Sequence, residues 1–178
     1  LHLCDQHLEK INRYDKVNNH TLLADVCLAA KFEAESLKTY RGQYQLTNPG
    51  SQICTVLARS FADIGDIVRG RDLYLGNNKE KKQLEENLKK IFKQIYDKLD
   101  GKIKSKYNDD TINYYQLRED WWALNRQDVW KAITCGAAGG KCFRKTACGG
   151  GRSETNNNCR CKTNDVPTYL DYVPQYLR

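Results

Sequence analysis

Cysteine spacing constrains the fold of this chain more than any other feature of its sequence. The eight cysteines lie at positions 4, 27, 54, 135, 142, 148, 159 and 161, so five of them fall within residues 135–161. Structural zinc sites pair cysteines separated by roughly two to four residues and often add a histidine nearby. Here the clustered cysteines follow the spacing C-x6-C-x5-C-x10-C-x-C, and the three histidines all lie in the first 20 residues. We therefore predict disulfides, not a metal site, and an oxidising, extracellular setting.

The composition indicates one globular unit. At 178 residues the chain can bury a substantial hydrophobic core, and with 40% hydrophobic and 29% charged residues it does not read as disordered. No apolar run approaches the roughly 18–20 residues that cross a bilayer, so we expect no direct membrane insertion. The chain begins at Leu1 with neither an initiator methionine nor a signal peptide, which indicates a fragment of a longer protein. The sequon at Asn19 is compatible with secretion and leaves glycosylation open.

Hydrophobic periodicity predicts an all-α fold, a helical bundle of about four long helices. The predicted helices are residues 20–46, 51–69, 79–104 and 111–134. Thr21 is the expected N-cap of the first helix, and the Asn48-Pro49-Gly50 sequence is expected to end it. The third helix carries an apolar stripe that we expect to be buried, formed by Leu84, Leu88, Ile91, Phe92, Ile95 and Leu99.

The fourth predicted helix is rich in aromatic residues. Six of its residues share or flank one face at helical spacing: Tyr114, Tyr115, Trp122, Val129, Trp130 and Ile133. A tryptophan stripe at this spacing is typical of a hydrophobic core. Arg126 falls on the same face, so we expect its guanidinium group to pair with an acid or to reach solvent along its own stem.

The character of the sequence changes after Thr134. Residues 135–166 hold five cysteines and two glycine-rich stretches without helical or alternating periodicity, which predicts loops held in place by disulfides. Pro174 then leads into a final segment that we expect to start another helix. The predicted organisation within one domain is a helical bundle at 1–134, cysteine-rich loops at 135–166 and the start of the next helical segment at 167–178.

Positive charge is concentrated in two segments. Residues 77–106 hold ten lysines against five acids, and residues 141–162 hold six basic residues against one acid. Basic surfaces favour polyanionic partners, which outside a cell are sulfated or sialylated glycans and not nucleic acid. The lysines of the third helix face away from its apolar stripe, so they form either a solvated outer face or a glycan-binding ridge. The candidate glycan-binding residues are Lys82, Lys89, Lys93, Arg144, Lys145, Arg160 and Lys162.

No constellation of residues predicts catalysis or a bound cofactor. The sequence contains no G-x-S-x-G, H-E-x-x-H or C-x-x-C motif. The segment from Gly136 to Lys141 superficially resembles a phosphate-binding loop, but its glycine spacing is one residue short and Cys142 stands where that motif needs serine or threonine. We therefore expect a binding protein and not an enzyme.

One block, LARSFADIGDIVRGRD at residues 57–72, resembles the hallmark of Duffy-binding-like domains. It is most similar to the alpha class, which stands at the head of Plasmodium falciparum erythrocyte membrane protein 1, the variant adhesin of infected red cells. The resemblance spans essentially the whole chain. Further matches follow in the expected order at Leu3-Cys4-Asp5, Arg118-Glu119-Asp120-Trp121-Trp122, Trp130-Lys131-Ala132-Ile133-Thr134-Cys135, Cys159-Arg160-Cys161 and Val173-Pro174-Gln175-Tyr176-Leu177-Arg178.

The resemblance implies the second, helical subdomain of a three-part all-α domain. The first subdomain is expected before Leu1 and a two-helix third subdomain after Arg178. The hallmark block is shared by domains with different ligands, so we expect it to be structural and not to set receptor choice. In this interpretation Gly65 permits close helix approach, and the residues that pack are Phe61, Ile64, Ile67 and Val68.

The resemblance also implies disulfide partners. Cys54 is expected to bridge to the Cys159/Cys161 pair and tie the second helix to the loops. Cys27 is expected to meet Cys135 and join the first and fourth long helices. A cysteine upstream of the chain is expected to bond Cys4, and the partner of Cys142 stays open. The six disulfide candidates within the chain are Cys27, Cys54, Cys135, Cys148, Cys159 and Cys161.

The function that the resemblance implies is cytoadhesion of the infected erythrocyte, including rosetting with uninfected cells. The expected location is the extracellular face of the infected erythrocyte membrane. Expected partners are host erythrocyte or endothelial receptors, sulfated glycans and antibodies, and the ligands associated with the alpha head domain are heparan-sulfate-like glycans, complement receptor 1 and blood-group sugars. The alternative is an antigenically variable scaffold that supports a neighbouring receptor-binding domain. An invasion ligand of the same superfamily fits the alpha-type block less well.

Overall fold

Long α-helices build the part of the chain that the structure describes. The computed structural model describes residues 18–44, 53–73, 79–137 and 145–178. The helices are α1 (Asn19–Tyr44), α2 (Ile53–Arg69), α3 (Lys79–Asp97), the short α4 (Gly101–Lys104) and α5 (Tyr115–Ile133), and 3-10 turns cover Ser105–Asp110, Leu170–Tyr172 and Gln175–Leu177. Within these ranges no β-strand forms. The predicted all-α bundle with four long helices is confirmed.

The N-terminus of α1 corrects one prediction. Asn18, not Thr21, is the N-cap, because its Oδ1 atom accepts hydrogen bonds from the backbone N–H groups of His20 at 2.9 Å and of Thr21 at 3.0 Å. In return, the backbone N–H of Asn18 donates to the Thr21 hydroxyl oxygen at 2.8 Å. Thr21, at the third helical position, therefore completes a reciprocal capping box with Asn18. Its hydroxyl oxygen accepts a hydrogen bond from the backbone N–H of the cap residue itself.

The helix predicted at 79–104 is broken in two. α3 ends at Asp97, and α4 starts at Gly101 after a short turn. Asp100 caps α4, since its carboxylate accepts a hydrogen bond from the backbone N–H of Lys102 at 3.4 Å. An N-cap residue followed by glycine, which has weak helix propensity, favours a new helix start over continuation of the old one.

The fourth long helix, α5, starts at Tyr115, later than predicted. Tyr115 is 47% exposed, so its assignment to the core stripe is wrong. Tyr115 is the first residue of α5, and its ring lies against Gly70, which directly follows α2. Tyr114, directly before it, is buried in its place. The other members of the predicted stripe are buried as expected: Trp122, Val129, Trp130 and Ile133.

The core forms where α5 packs against α1, α2 and α3. Trp122 is fully buried, and its ring centroid lies 5.1 Å from that of Phe61, which also packs edge-on against Trp130 at 5.1 Å. Gly65 allows this contact, because an added Cβ there would lie 2.8 Å from the Trp122 ring. The predicted structural role of the hallmark block is borne out at these positions.

Arg118 joins three helices from inside the protein. Its guanidinium group is buried and donates to both carboxylate oxygens of Glu85 on α3, at 2.7 and 2.8 Å. It also donates to the backbone carbonyls of Val68 at 2.6 Å and Ile67 at 3.0 Å, which lie at the end of α2. A side chain of α5 therefore caps α2 and neutralises an acid of α3, and these bonds keep its buried charge satisfied.

Asp171 is a second buried junction, between α5 and the C-terminal segment. Its carboxylate accepts a hydrogen bond from the Trp122 indole N–H at 2.9 Å and two from Arg126, each at 2.8 Å. The prediction that Arg126 pairs with an acid or reaches solvent is thereby resolved in favour of the pair. The Tyr172 ring lies between two guanidinium groups, 5.2 Å from Arg126 and 5.2 Å from Arg69.

The C-terminal segment forms two 3-10 turns, Leu170–Tyr172 before Pro174 and Gln175–Leu177 directly after it. The expectation that another helix starts after Pro174 stays a prediction. Arg178 turns back onto α2, where its guanidinium group pairs with Asp63 at 3.4 Å and with Asp66. Those pairs hold the chain against the bundle. The division into units at 1–134, 135–166 and 167–178 stays a prediction.

Two disulfides hold the cysteine-rich loops. Cys54 of α2 is bonded to Cys159, as the resemblance implied, and Cys148 is bonded to Cys161. Both bonds are buried. The Cys54–Cys159 bond attaches the loops to α2, and the Cys148–Cys161 bond joins two parts of the loops to each other. Of the remaining cysteines, Cys4 and Cys142 lie outside the described residues.

The expected bond between Cys27 and Cys135 does not form, and both carry free thiols. Cys27 lies near Asp128. Burial is the main cause of the raised pKa of the Cys27 thiol, and the negative charge of Asp128 is the second cause. Cys135 comes seven residues after Asp128, about 10 Å further along the helix direction. Consistent with this register, Cys135's neighbour Gly136 lies against Lys38, well beyond Cys27 on α1. A disulfide needs Cα atoms within about 7 Å, so the parallel register of α1 and α5 separates the pair.

We expect the Cys27 thiol to react slowly. Burial, with a smaller contribution from Asp128, raises its pKa to about 11. Only about one thiol in a thousand is then ionised at pH 8, and the thiolate is the nucleophile. Iodoacetamide labelling of the folded chain, followed by mass spectrometry, should show Cys27 labelling that rises about tenfold per pH unit from pH 8 to 10. Labelling at pH 8 as fast as in the urea-unfolded chain would contradict the buried placement.

Candidate functional site

The lysine ridge, defined as Lys82, Lys89 and Lys93, lies on the outer face of α3. The opposite face of the helix is the buried stripe predicted from the sequence, formed by Leu84, Leu88, Ile91, Phe92 and Ile95, with Leu99 partly buried beside it. Lys82 and Lys93 are exposed, and Lys89 is half-buried. The ridge is therefore accessible to a large ligand.

Acids of the same helix reduce the charge of the ridge. Lys89 pairs with Glu86 at 3.2 Å, one turn away, and Lys93 pairs with Asp97 at 2.6 Å. The hydrogen bond to Asp97 raises the pKa of Lys93 above its ordinary value. Among the described residues Lys82 has no such partner. These exposed pairs are individually weak, so a polyanion can displace the acids, but a lysine count alone overstates the positive potential.

The basic residues of the loops differ in role. Lys145 and Lys162 are exposed, as a ligand-binding residue must be. Arg160 instead points inward, and its guanidinium group donates to the Thr134 hydroxyl at 2.8 Å and to the backbone carbonyl of Lys131. It fastens the loop to the end of α5, and its role as a glycan contact stays a prediction. Arg144 lies outside the described residues.

A groove that sequence reasoning missed lies between α5 and the cysteine-rich loops. Its volume is about 500 Å³. Arg126 and Gln127 of α5 form one wall, the glycine run at 149–151 forms another, and Asp165 and Tyr169 border it from the C-terminal segment. The triple glycine between two cysteines was the available signal, but a loop sequence does not reveal which helix it covers.

Groups with shifted pKa values occur at a surface pair, Lys106 and Asp120, and around the ion pairs of Asp63, Arg69 and Arg178. The hydrogen bond from Lys106 holds the pKa of Asp120 below its ordinary value, and that pair sits on the surface. Burial raises the pKa of Tyr107, which donates to the same carboxylate. Within the described ranges no group of His, Cys, Asp and Glu side chains is arranged to hold a metal ion. No helix there has the length and apolarity needed to cross a membrane.

Sequence and structure comparisons identify the family. The family model of the Duffy binding domain matches residues 1–178, the full length of the chain. The chain belongs to the Duffy binding domain family. No curated protein matches it significantly in sequence.

Solved structures of Plasmodium falciparum domains resemble this Duffy binding domain closely. The NTS-DBL1(alpha-1) domain of PfEMP1 from the varO strain is 37% identical over 99% of this chain, with a TM-score of 0.73. A DBLb domain of PfEMP1 bound to human ICAM-1 is 32% identical over 99%, with a TM-score of 0.70. The IT4var13 DBLbeta domain of PfEMP1 bound to ICAM-1 is 39% identical over 89%, with a TM-score of 0.62. The predicted kinship with the PfEMP1 domains is confirmed.

The chain covers only part of each of those structures. It spans 40% of the varO chain and 36% and 35% of the two ICAM-1-bound chains. Within this Duffy binding domain most of the hallmark block is buried: the Trp122 ring packs against Gly65, and Arg69 pairs with Asp66 at 2.9 Å. The buried side chains of Asp66 and Arg69 are therefore not available to another molecule.

Proposed function

We propose that this Duffy binding domain is an adhesion module on the outer face of the infected erythrocyte and that it binds host cell-surface molecules without catalysing a reaction. The observation that carries the proposal is its similarity to two PfEMP1 domains, 32% and 39% identical, that were solved bound to ICAM-1. The rigid, disulfide-held bundle suits such a role, because it presents exposed residues at fixed positions.

Sulfated glycans are the host molecules that the lysine ridge best fits. Its three lysines lie along one helix face, separated by about 10.5 and 6 Å of axial rise. That spacing suits an extended polyanion better than a compact one. Each exposed contact contributes about 1 kcal/mol or less, so binding depends on several contacts together.

Replacing Lys82, Lys89 and Lys93 together by alanine should clearly weaken retention on heparin and flatten its dependence on salt, while a single replacement should barely change it. Each alanine removes one screened charge pair with the polyanion, and such pairs weaken as ionic strength rises. The measurement is the salt concentration that elutes the folded chain from a heparin column, with helical circular dichroism checked for each variant.

The matched control replaces Lys31, Lys102 and Lys131, which removes three positive charges from other faces of the molecule. This control should elute close to the wild-type chain if the ridge is a site and not merely part of the net charge. Equal weakening of both triple variants would reduce the ridge to a general charge effect.

Retention unchanged in the ridge variant would favour the second candidate function, an antigenically variable scaffold that supports a neighbouring receptor-binding domain. Two observations favour that candidate. Lys89 and Lys93 are already paired with acids, and the Arg160 guanidinium group already donates a hydrogen bond to Thr134.

A further inference from the structure

The groove between α5 and the cysteine-rich loops has the size of a small-ligand site. Its volume of about 500 Å³ lies within the range of pockets that bind small molecules. It lies on α5 and the loops, whereas the lysine ridge lies on α3, so the two surfaces use different residues.

The walls of the groove are held rigid. The disulfide between Cys148 and Cys161 closes the loop, and Gly149, Gly150 and Gly151 all have positive φ angles, of 61°, 67° and 92°. Such a run favours glycine, since side chains strain in this backbone conformation. The Asp165 carboxylate accepts hydrogen bonds from the Gly149 N–H at 3.1 Å and from a neighbouring threonine hydroxyl at 2.8 Å. A site built this way loses little freedom when a ligand binds.

Arg126 brings an oriented donor to the groove. Its Nε and Nη2 atoms are fixed by Asp171 at 2.8 Å each, and Nη2 also donates to the Thr168 carbonyl at 2.8 Å. Its remaining nitrogen, Nη1, makes no hydrogen bond to any residue of the described chain. A guanidinium group held in this way is suited to a carboxylate or sulfate oxygen, which it binds with a charge-assisted hydrogen bond.

Tyr169 and Asp165 supply the other contacts that a sugar needs. The Tyr169 ring is 72% exposed, although it stacks beside the Arg126 guanidinium group at 5.3 Å. Aromatic faces attract the weakly positive C–H groups of a sugar ring. The Oδ1 atom of Asp165 can accept a hydroxyl, since the bonds from Gly149 and Thr163 both use Oδ2.

The charges around the groove favour an anion. Lys145 and Arg152 are exposed and flank the glycine loop, and Lys162 is exposed beside the segment that leads to Asp165. Among the charged groups that line the groove, Arg126 is balanced by Asp171 and Asp165 is negative, so the lining itself has no excess of positive charge. The positive charge that attracts an anion comes from the exposed residues beside the groove, Lys145, Arg152 and Lys162, against one exposed acid, Glu154.

We propose that this groove binds a single anionic sugar unit, bearing a carboxylate or a sulfate, at the end of a host glycan. The proposal rests on the adhesive function proposed above and assigns it a second site. In it, Arg126 holds the anionic group, Tyr169 stacks on the ring, and Asp165 accepts a hydroxyl.

The test is a titration of the folded 178-residue chain with 3′-sialyllactose, with N-acetylglucosamine 6-sulfate and with neutral lactose, followed by NMR. At least one anionic sugar should bind with a dissociation constant of about 1 mM, and lactose should bind much more weakly. The two anionic probes separate a carboxylate from a sulfate as the natural group. If neither binds at about 10 mM, or if lactose binds equally well, the proposal is wrong.

Tyr169→Ala should weaken that binding about fivefold, since it removes the stacking surface without opening the core. Tyr176→Ala is the matched control, because Tyr176 is 71% exposed and does not line the groove. Replacing Lys145 and Arg152 by alanine should also weaken binding, whereas the ridge triple variant should leave it unchanged. Equal affinities of the Tyr169 and Tyr176 variants would overturn the assignment.

The outcomes separate this proposal from the broader one. Heparin retention that depends on the ridge, with no sugar bound in the groove, leaves adhesion intact and removes the groove. Sugar binding that depends on Tyr169, with no role for the ridge, supports the groove and moves adhesion to it.

Discussion

Replacing Trp122 by alanine is expected to lower the free energy of unfolding by about 3–5 kcal/mol. The side chain is fully buried between Phe61 and the backbone of Gly65, so its loss leaves a large cavity. The change also removes the indole N–H that donates to the buried Asp171 carboxylate. Urea denaturation followed by circular dichroism measures the difference, provided that the transition stays two-state.

Two matched variants separate the causes of that loss. Trp122→Phe keeps most of the ring volume but leaves the Asp171 carboxylate one donor short, at a cost of about 1–3 kcal/mol. Leu124→Ala, on the same helix but 82% exposed, should change stability by about 0.5 kcal/mol or less. A Trp122→Ala variant as stable as the Leu124 variant would mean that α5 does not form the centre of the bundle.

Helix positions and the core were predictable because they depend on local periodicity. Leu88 and Ile91 recur at the spacing of one helix face, and the structure buries both. Helix ends were less predictable, since they depend on competition between neighbouring residues. Asp100 shows this, because its capping bond begins a new helix where the apolar pattern continues.

Contacts between distant residues set the limits of the sequence prediction. The sequence indicated that Arg126 lies on the core face but not that its acid would be Asp171, which lies 45 residues later. The wrong pairing of Cys27 has the same origin. Its neighbour on α5 is set by the offset of two helices, which no local pattern records.

The candidate site was predictable only as a set of charges. The sequence places Lys93 and Asp97 one turn apart, so their pairing was open to prediction, yet the net charge of the segment concealed it. Arg160 and Lys162 both contribute one positive charge to the loops. The guanidinium group of Arg160 donates a hydrogen bond to the Thr134 hydroxyl, whereas Lys162 is exposed. Whether a basic residue serves a ligand therefore depends on its partners in the fold.

The disulfide between Cys54 and Cys159 is expected to contribute about 4.7 kcal/mol to stability. It links residues 105 positions apart and so restricts most of the described chain in the unfolded state. In the chain-entropy description, stabilisation grows with the logarithm of the closed loop, and a loop of about 100 residues gives this value. The measurement compares urea unfolding of the wild-type chain with that of the Cys54→Ala, Cys159→Ala double variant.

The second disulfide supplies the matched control. Cys148 and Cys161 are only 13 positions apart, so replacing both by alanine should cost about 3 kcal/mol in the same description. Both bonds are buried, which makes the small cavities left by alanine comparable and isolates the effect of loop length. The long-range bond should therefore be the more stabilising by nearly 2 kcal/mol. A larger loss of unfolding free energy from the Cys148/Cys161 variant would contradict this ranking. It would mean that the cysteines stabilise the protein mainly by ordering the loops and not by attaching them to α2.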